Sequence, residues 1–379
     1  MRAVTATPMY RFLILMTIAS AVGLQAWQTL FNNFAVEVAG LGGKHVGVIQ
    51  SVREIPGFLA LLAVYVMLVV REHRLSAFSI LALGVGVGAT GLFPTFFGLC
   101  MTTLVSSFGF HYYETTNQSL TLQYFEKHQA PWVFGKQRSI AAATNIVVGL
   151  MILGLSTVLS YTSMYLSVGI LICAAAIWGL SQNPTRRDLT PQRKQMVFRA
   201  RYWLFYFLTF MAGARRQIFI AFAVFLLVKK FQYTVQEVTV LFVFNNAVNY
   251  FLSPLIGKAI IRFGERKVLS LEYAGLIVVF LSYATVHSRW VVALLYVLDH
   301  IFFNFSMAIQ TYFQKVGDPA DIAPSMAVGF TINHIAAVVL PAVGGLLWMV
   351  DYRIPFLAGA CMAAVSLLLV QKISTAPEQ

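Results

Sequence analysis

Charge is what this sequence has least of. Asp, Glu, Lys and Arg together make up 11% of its 379 residues, against roughly 25% in a soluble domain. That deficit excludes an ordinary cytosolic enzyme and a disordered chain. Cysteine is equally sparse. Cys100, Cys173 and Cys361 stand far apart in apolar surroundings, which excludes a disulfide scaffold and a paired thiolate motif. Acidic residues number 14 against 27 basic ones, for a net charge of +13. Nucleic acid is nevertheless excluded as a partner, because the bases lie between long apolar runs and not along a polar stripe. Neither a His-Glu-x-x-His pattern nor a Gly-x-Ser-x-Gly elbow occurs. No enzyme activity, metal or cofactor is expected.

What fills the chain is hydrophobic residues, at 59%. Arg2 and Arg11 precede an apolar stretch from Phe12 to about Phe34, too long for a signal sequence's apolar core of about 7–15 residues; it reads as a retained first span. A spanning helix needs about 20 apolar residues. Polar and turn-prone breaks divide the chain into twelve such segments, at 11–36, 45–70, 75–94, 96–120, 136–159, 161–182, 202–228, 236–260, 267–287, 289–314, 322–349 and 354–373. The one long polar interruption, 183–201, separates six spans in 1–182 from six in 202–379. With both termini cytoplasmic, nineteen Lys and Arg fall in inside loops and five in outside loops, and Arg53, Arg215 and Arg216 fall within spans. That bias satisfies the positive-inside rule. The expectation is an all-α multi-pass protein of a bacterial inner membrane, monomeric and in contact with lipid.

Between spans eight and nine the chain reads Gly257-Lys-Ala-Ile-Ile-Arg262-Phe-Gly264-Glu265-Arg266-Lys267. This motif, together with the two six-span halves and the basic central loop, resembles the major facilitator superfamily of secondary transporters. Gly257, Arg262, Gly264 and Arg266 match that family's loop, whereas Ile261 stands where the family has Asp and Glu265 where it has a base. The resemblance implies two pseudo-symmetric six-helix bundles and a conformational latch in this loop. It also implies a central cavity lined by spans one, four, seven and ten. The span-four Arg of many proton-coupled members is absent, with Val105 in its place, and span five lacks the Gly-Pro signature of drug antiporters.

Polar residues inside the spans need a reason, since an ionisable side chain in the bilayer core costs about 2.5–3.5 kcal/mol on insertion scales. Here they recur at helical spacing. Span one carries Gln25, Gln28 and Asn32 on one face; span four carries Ser107, His111, Glu114 and Gln118. Span eight carries Asn245, Asn249 and Ser253, and span ten Asp299, His300 and Asn304. Adjacent Arg215 and Arg216 sit midway along span seven, pointing about 100° apart. Arg216 shares the stripe of Tyr202, Thr209 and Gly213 and is expected to meet solute; Arg215 is expected to meet a buried partner on a neighbouring helix.

These features point to a secondary transporter of a small polar solute, anionic or zwitterionic because guanidinium grips carboxylate and phosphate in a bidentate fork. Expected solute contacts are Gln25, Gln28, Asn32, His111, Arg216, Asn245, Asn249, His300 and Asn304. Glu114 and Asp299 are the expected carriers of a coupling proton. Export of amphipathic compounds is the alternative, suggested by 31 Phe, 16 Tyr and 6 Trp; a polytopic membrane enzyme is a more distant one.

Overall fold

The computed structural model describes residues 2–186 and 188–373, so Arg187 of the central loop lies outside the described residues. Apart from a short turn at Arg2–Thr5, the helices fall on the twelve expected spans. They are α1 (Pro8–Asn33), α2 (Gly43–Phe58), α3 (Glu72–Thr90), α4 (Phe96–Tyr124), α5 (Ala130–Leu155) and α6 (Tyr161–Ser181), followed by α7 (Trp203–Ile218), α8 (Val235–Phe263), α9 (Glu265–Thr285), α10 (Arg289–Phe303), α11 (Ile322–Val350) and α12 (Arg353–Val370). No strand occurs among the described residues. Eight helical runs among the described residues, with α1, α2 and α10 counted together with their continuations, are long and apolar enough to cross a membrane. Among the others, α4 is diluted by buried Ser and Thr and α7 is cut short by a π-helical segment, Phe219–Ala223, after its two arginines.

Local chemistry sets the helix ends. Thr7, Thr95 and Ser160 accept the backbone N–H of Tyr10, Gly98 and Ser163 as N-caps, and Thr234 with Glu237 forms a reciprocal capping box at the start of α8. Gly264 joins α8 to α9 at φ +79°, a backbone conformation that only glycine adopts without strain.

The chain divides into two compact units. The first comprises Met1–Glu126, Ile140–Val197 and Asp318–Thr331; the second comprises Lys127–Ser139, Phe198–Gly317 and Ile332–Gln379. In the first unit α3 packs against both α4 and α6. Without a hydrophobic driving force between helices in lipid, small residues permit the close van der Waals approach that holds them together. A Cβ on Gly109 would lie 2.4 Å from the Ser79 carbonyl oxygen, and one on Gly169 would lie 2.5 Å from Gly88 Cα. Pro56 interrupts α2, which runs on as a 3-10 turn, Leu59–Leu62; the freed Leu61 N–H donates to Thr331 Oγ1 at 2.9 Å. The central loop is docked. Arg193 pairs with Asp318 at 3.0 Å and Asp321 at 2.6 Å, while Gln192 accepts the Ala323 N–H at 2.9 Å and donates to the Pro319 carbonyl at 2.8 Å. The loop thereby caps the start of α11.

In the second unit α9 packs on α12 around an aromatic core that includes Phe280, Tyr283, Tyr296 and Phe356. The first turns of α5 lie against α8, where a Cβ on Gly257 would sit 2.4 Å from the Pro131 carbonyl oxygen.

Candidate functional site

In the first unit the span-one stripe is open, with Gln25 half-buried and Gln28 and Asn32 exposed. Gln25 Nε2 donates to Thr29 Oγ1 at 3.0 Å. The span-four stripe is enclosed. His111 is 4% exposed, and its Nδ1 lies 2.8 Å from the Ser107 carbonyl oxygen and 3.0 Å from Ser107 Oγ. An accepting carbonyl makes Nδ1 the protonated nitrogen of the neutral ring, leaving Nε2 as its basic atom. Ser107 Oγ donates to the Arg53 carbonyl, which ties α4 to α2, and Phe330 meets the His111 ring edge-on at 5.8 Å. Arg53 in turn pairs with Glu54 at 3.0 Å and lies over Trp27 of α1 at 5.3 Å. Glu114, one turn beyond His111, is half-buried.

In the second unit the expected polar residues converge more closely. Helix α10 breaks into a 3-10 turn at Asn304–Ser306 before resuming at Met307. Within the break Asn304 Nδ2 donates to Asn249 Oδ1 of α8 at 2.6 Å and to the His300 carbonyl at 3.1 Å. Asn245, one turn earlier on α8, is 1% exposed, and neither of its amide atoms has a hydrogen-bond partner. His300 Nδ1 is likewise unpartnered. The His300 ring packs 5.8 Å from Phe219, which immediately follows α7. Arg216 stands three residues before Phe219, a spacing that shares a helix face, so the half-buried Arg216 belongs to the His300 side of α7. Arg215 turns the other way and is buried against α9 and α12.

Arg138 is the residue the sequence reading missed. Counted there among the cytoplasmic bases, it lies inside α5, which starts at Ala130 and not near residue 136. Its guanidinium donates to Asn304 Oδ1 at 3.0 Å and Ser306 Oγ at 3.2 Å, and lies 5.7 Å from the centre of the Phe303 ring. The available signal was the polar run Lys136–Gln137–Arg138–Ser139 standing between apolar stretches; spacing alone gave no partner. Arg138, Asn304 and Asn249 thus form a hydrogen-bonded chain across three helices at a helix break. Broken helices with exposed backbone and polar side chains at membrane depth are tolerated where they line a cavity or are buried in protein, and transporters place substrate sites at them.

The loop motif resolves into separate tasks. Gly264 makes the turn and Gly257 the close approach of α5 to α8. Arg262 lies over Phe263 at 5.2 Å. Glu265, the residue that departs from the family pattern, is fully buried and receives Lys315, at the end of the resumed α10 segment, at 2.8 Å. This clamp holds the first turn of α9.

The Major Facilitator Superfamily sequence model matches residues 205–378. Among curated proteins none matches the sequence significantly. Solved structures do match in fold. The human organic anion transporter TETRAN aligns over 96% of this chain and 98% of its own, with a TM-score of 0.79 at 11% identity. The E. coli fucose:proton symporter FucP aligns over 97% and 98%, with a TM-score of 0.78 at 12% identity. A bacterial homologue of the iron transporter ferroportin, in its outward-facing state, aligns over 97% and 100%, with a TM-score of 0.75 at 12% identity. The family's sequence pattern thus covers residues 205–378, and the fold of these transporters extends over nearly the whole length of the chain.

Proposed function

We propose that the protein is a secondary transporter of a small anionic or zwitterionic solute in a bacterial inner membrane, with both termini cytoplasmic, working by alternating access. The halves 1–182 and 202–379 are the moving parts in this reading. The observation that carries it is the Arg138–Asn304–Asn249 chain at the α10 break, with Asn245 and His300 beside it holding unpartnered polar atoms. A buried polar atom without a partner costs about 1–3 kcal/mol, a penalty that a polar ligand removes. Arg138 and Arg216 supply the positive charge, and guanidinium selects planar oxyanions. Gln25, Gln28, Asn32 and His111 are the solute contacts of the first half, and Glu114 and Asp299 carry a coupling proton. Gly257, Arg262, Gly264 and Arg266 belong to the conformational latch.

A ligand that binds only the folded state stabilises it by about 2.7 kcal/mol at a hundredfold excess over Kd. Purified protein screened against small carboxylates, phosphorylated compounds, amino acids and neutral sugars therefore shows stabilisation by a charged class. The same class then shows saturable flux in proteoliposomes, without chemical change. Stabilisation by neutral sugars or lipophilic cations alone defeats the anionic reading.

A further inference from the structure

The first unit holds an ion pair that its helix does not need. Arg53 and Glu54 are neighbours on α2, inside the expected span 45–70. Successive helical residues point about 100° apart, and pairs at that spacing do not face each other along a helix. The two side chains nonetheless meet. Arg53 Nε and Nη2 both donate to Glu54 Oε1, at 3.3 and 3.0 Å. Among the described residues, Arg53 Nη1 and Glu54 Oε2 have no hydrogen-bond partner, and the two side chains are 28% and 25% exposed. One edge of each charge thus engages the other, and one edge stays open.

The surroundings hold both groups in place. The Arg53 guanidinium lies 5.3 Å over the Trp27 ring of α1, which is buried and stacked on Phe31 at 4.3 Å, and a cation over an indole face is held electrostatically. Among the described residues the Trp27 Nε1–H is buried without an acceptor, a second donor beside the guanidinium. The Arg53 carbonyl accepts Ser107 Oγ of α4, which pins α2 at this residue. A Glu54 carboxylate oxygen and a His111 ring nitrogen lie within 4.8 Å of each other. The cluster therefore has a donor side at Trp27 and Arg53 and an acceptor side at Glu54, next to His111.

These two charges balance only together. A solute with a lone carboxylate takes Arg53 and strands Glu54; a solute with a lone ammonium takes Glu54 and strands Arg53. Stranding one partner of an ion pair in a membrane interior is costly. A solute with both charges replaces one ion pair by two and strands neither. We propose that Arg53 and Glu54, backed by Trp27, form the specificity site for a compact zwitterion, with the solute carboxylate on Arg53 and its ammonium on Glu54. Because the two side chains are in direct contact, the solute's own charges stand one or two carbons apart, as in an α- or β-amino acid. This inference rests on the solute site proposed above for the first half and narrows its ligand from an anion or zwitterion to a zwitterion.

The test is thermal unfolding of the intact protein in detergent with β-alanine and the α-amino acids of uncharged side chain, each beside its deamino carboxylate and its decarboxylated amine. Compounds that stabilise the fold are then titrated for affinity. Wild type binds an amino acid at least about tenfold more tightly than its matched carboxylate or amine. In E54Q the preference turns toward the carboxylate, which no longer competes with a charge for Arg53, and in R53Q it turns toward the amine. Folded E54Q with the wild-type ratio of amino-acid to carboxylate affinity overturns the proposal, as does a wild type that binds no amino acid. Where E54Q does not fold, E54D decides: its shorter carboxylate weakens binding of the amino acid and not of the matched carboxylate, and equal changes for both overturn the proposal. Matched carboxylates that bind wild type as tightly as amino acids and show saturable flux in proteoliposomes remove this site and leave the anionic reading. An amino acid whose binding depends on Arg53 and Glu54 but which shows no flux keeps the site and removes the transport reading.

Discussion

Replacing Arg215 with Ala tests how the second unit is held together. The side chains of Arg215 and Glu272 are 4% and 3% exposed, so the small values typical of surface pairs, about 0–1 kcal/mol, do not apply. The substitution removes the 2.7 Å donor to Ser366, the Glu272 pair and the stacking on Tyr273, and it strands a carboxylate in the bundle. Breaking a buried pair at one end costs about 3–5 kcal/mol, roughly a hundred- to several-thousandfold in the unfolding equilibrium. Replacing both ends by apolar groups of similar volume is often close to neutral. R215A is therefore expected to lose most of its folded yield, and R215M/E272M to recover much of it. Denaturant unfolding of protein purified in detergent, followed by helical signal and by size-exclusion profile, measures both. R215A within about 1 kcal/mol of wild type, or a double variant no better than R215A, refutes the reasoning.

Other outcomes follow from the same geometry. Arg138→Lys keeps the charge but cannot span Asn304 and Ser306 together, so solute affinity should fall at least about tenfold, the equivalent of about 1.4 kcal/mol, with normal folded yield; unchanged binding and flux remove Arg138 from the site. Arg216→Lys should weaken binding of carboxylate or phosphate solutes while leaving expression near wild type, and normal flux in both Arg216→Lys and Arg216→Ala ends its assignment as a solute contact. Gly257→Leu drives a side chain into the Pro131 carbonyl, where even a Cβ would stand 2.4 Å away, and should cost about 1–3 kcal/mol by overpacking; a wild-type unfolding curve contradicts the close approach of α5 and α8. Reporter fusions at residue 1 and residue 379 should both report the cytoplasmic side, and opposite sides end the proposed orientation.

The twelve spans, the all-helical class and the family motif were legible in the sequence because each is written in local pattern: runs of about 20 apolar residues, glycine where a turn needs positive φ, and bases gathered between spans. Helical spacing also sorted Arg216 from Arg215, since residues one apart cannot share a face. The same periodicity found the stripes of α4, α8 and α10 without showing which polar atoms meet. Partners were the part it did not contain. That Arg138 reaches Asn304, that Glu265 receives Lys315, and that Gln192 and Arg193 cap α11 are contacts between residues 50 to 166 positions apart, which no local spacing encodes. Arg215 stood out as an ionisable residue in a span, but its partner Glu272 did not, because Glu272 lies near a span end where an acid is unremarkable. Local sequence determined which segments are helices and which faces are polar, since those depend on one residue's chemistry and its neighbours within two turns. Only the packing of α7, α9 and α12 decided that Arg215 meets Glu272 and Ser366, since that depends on where separate helices stop as they approach.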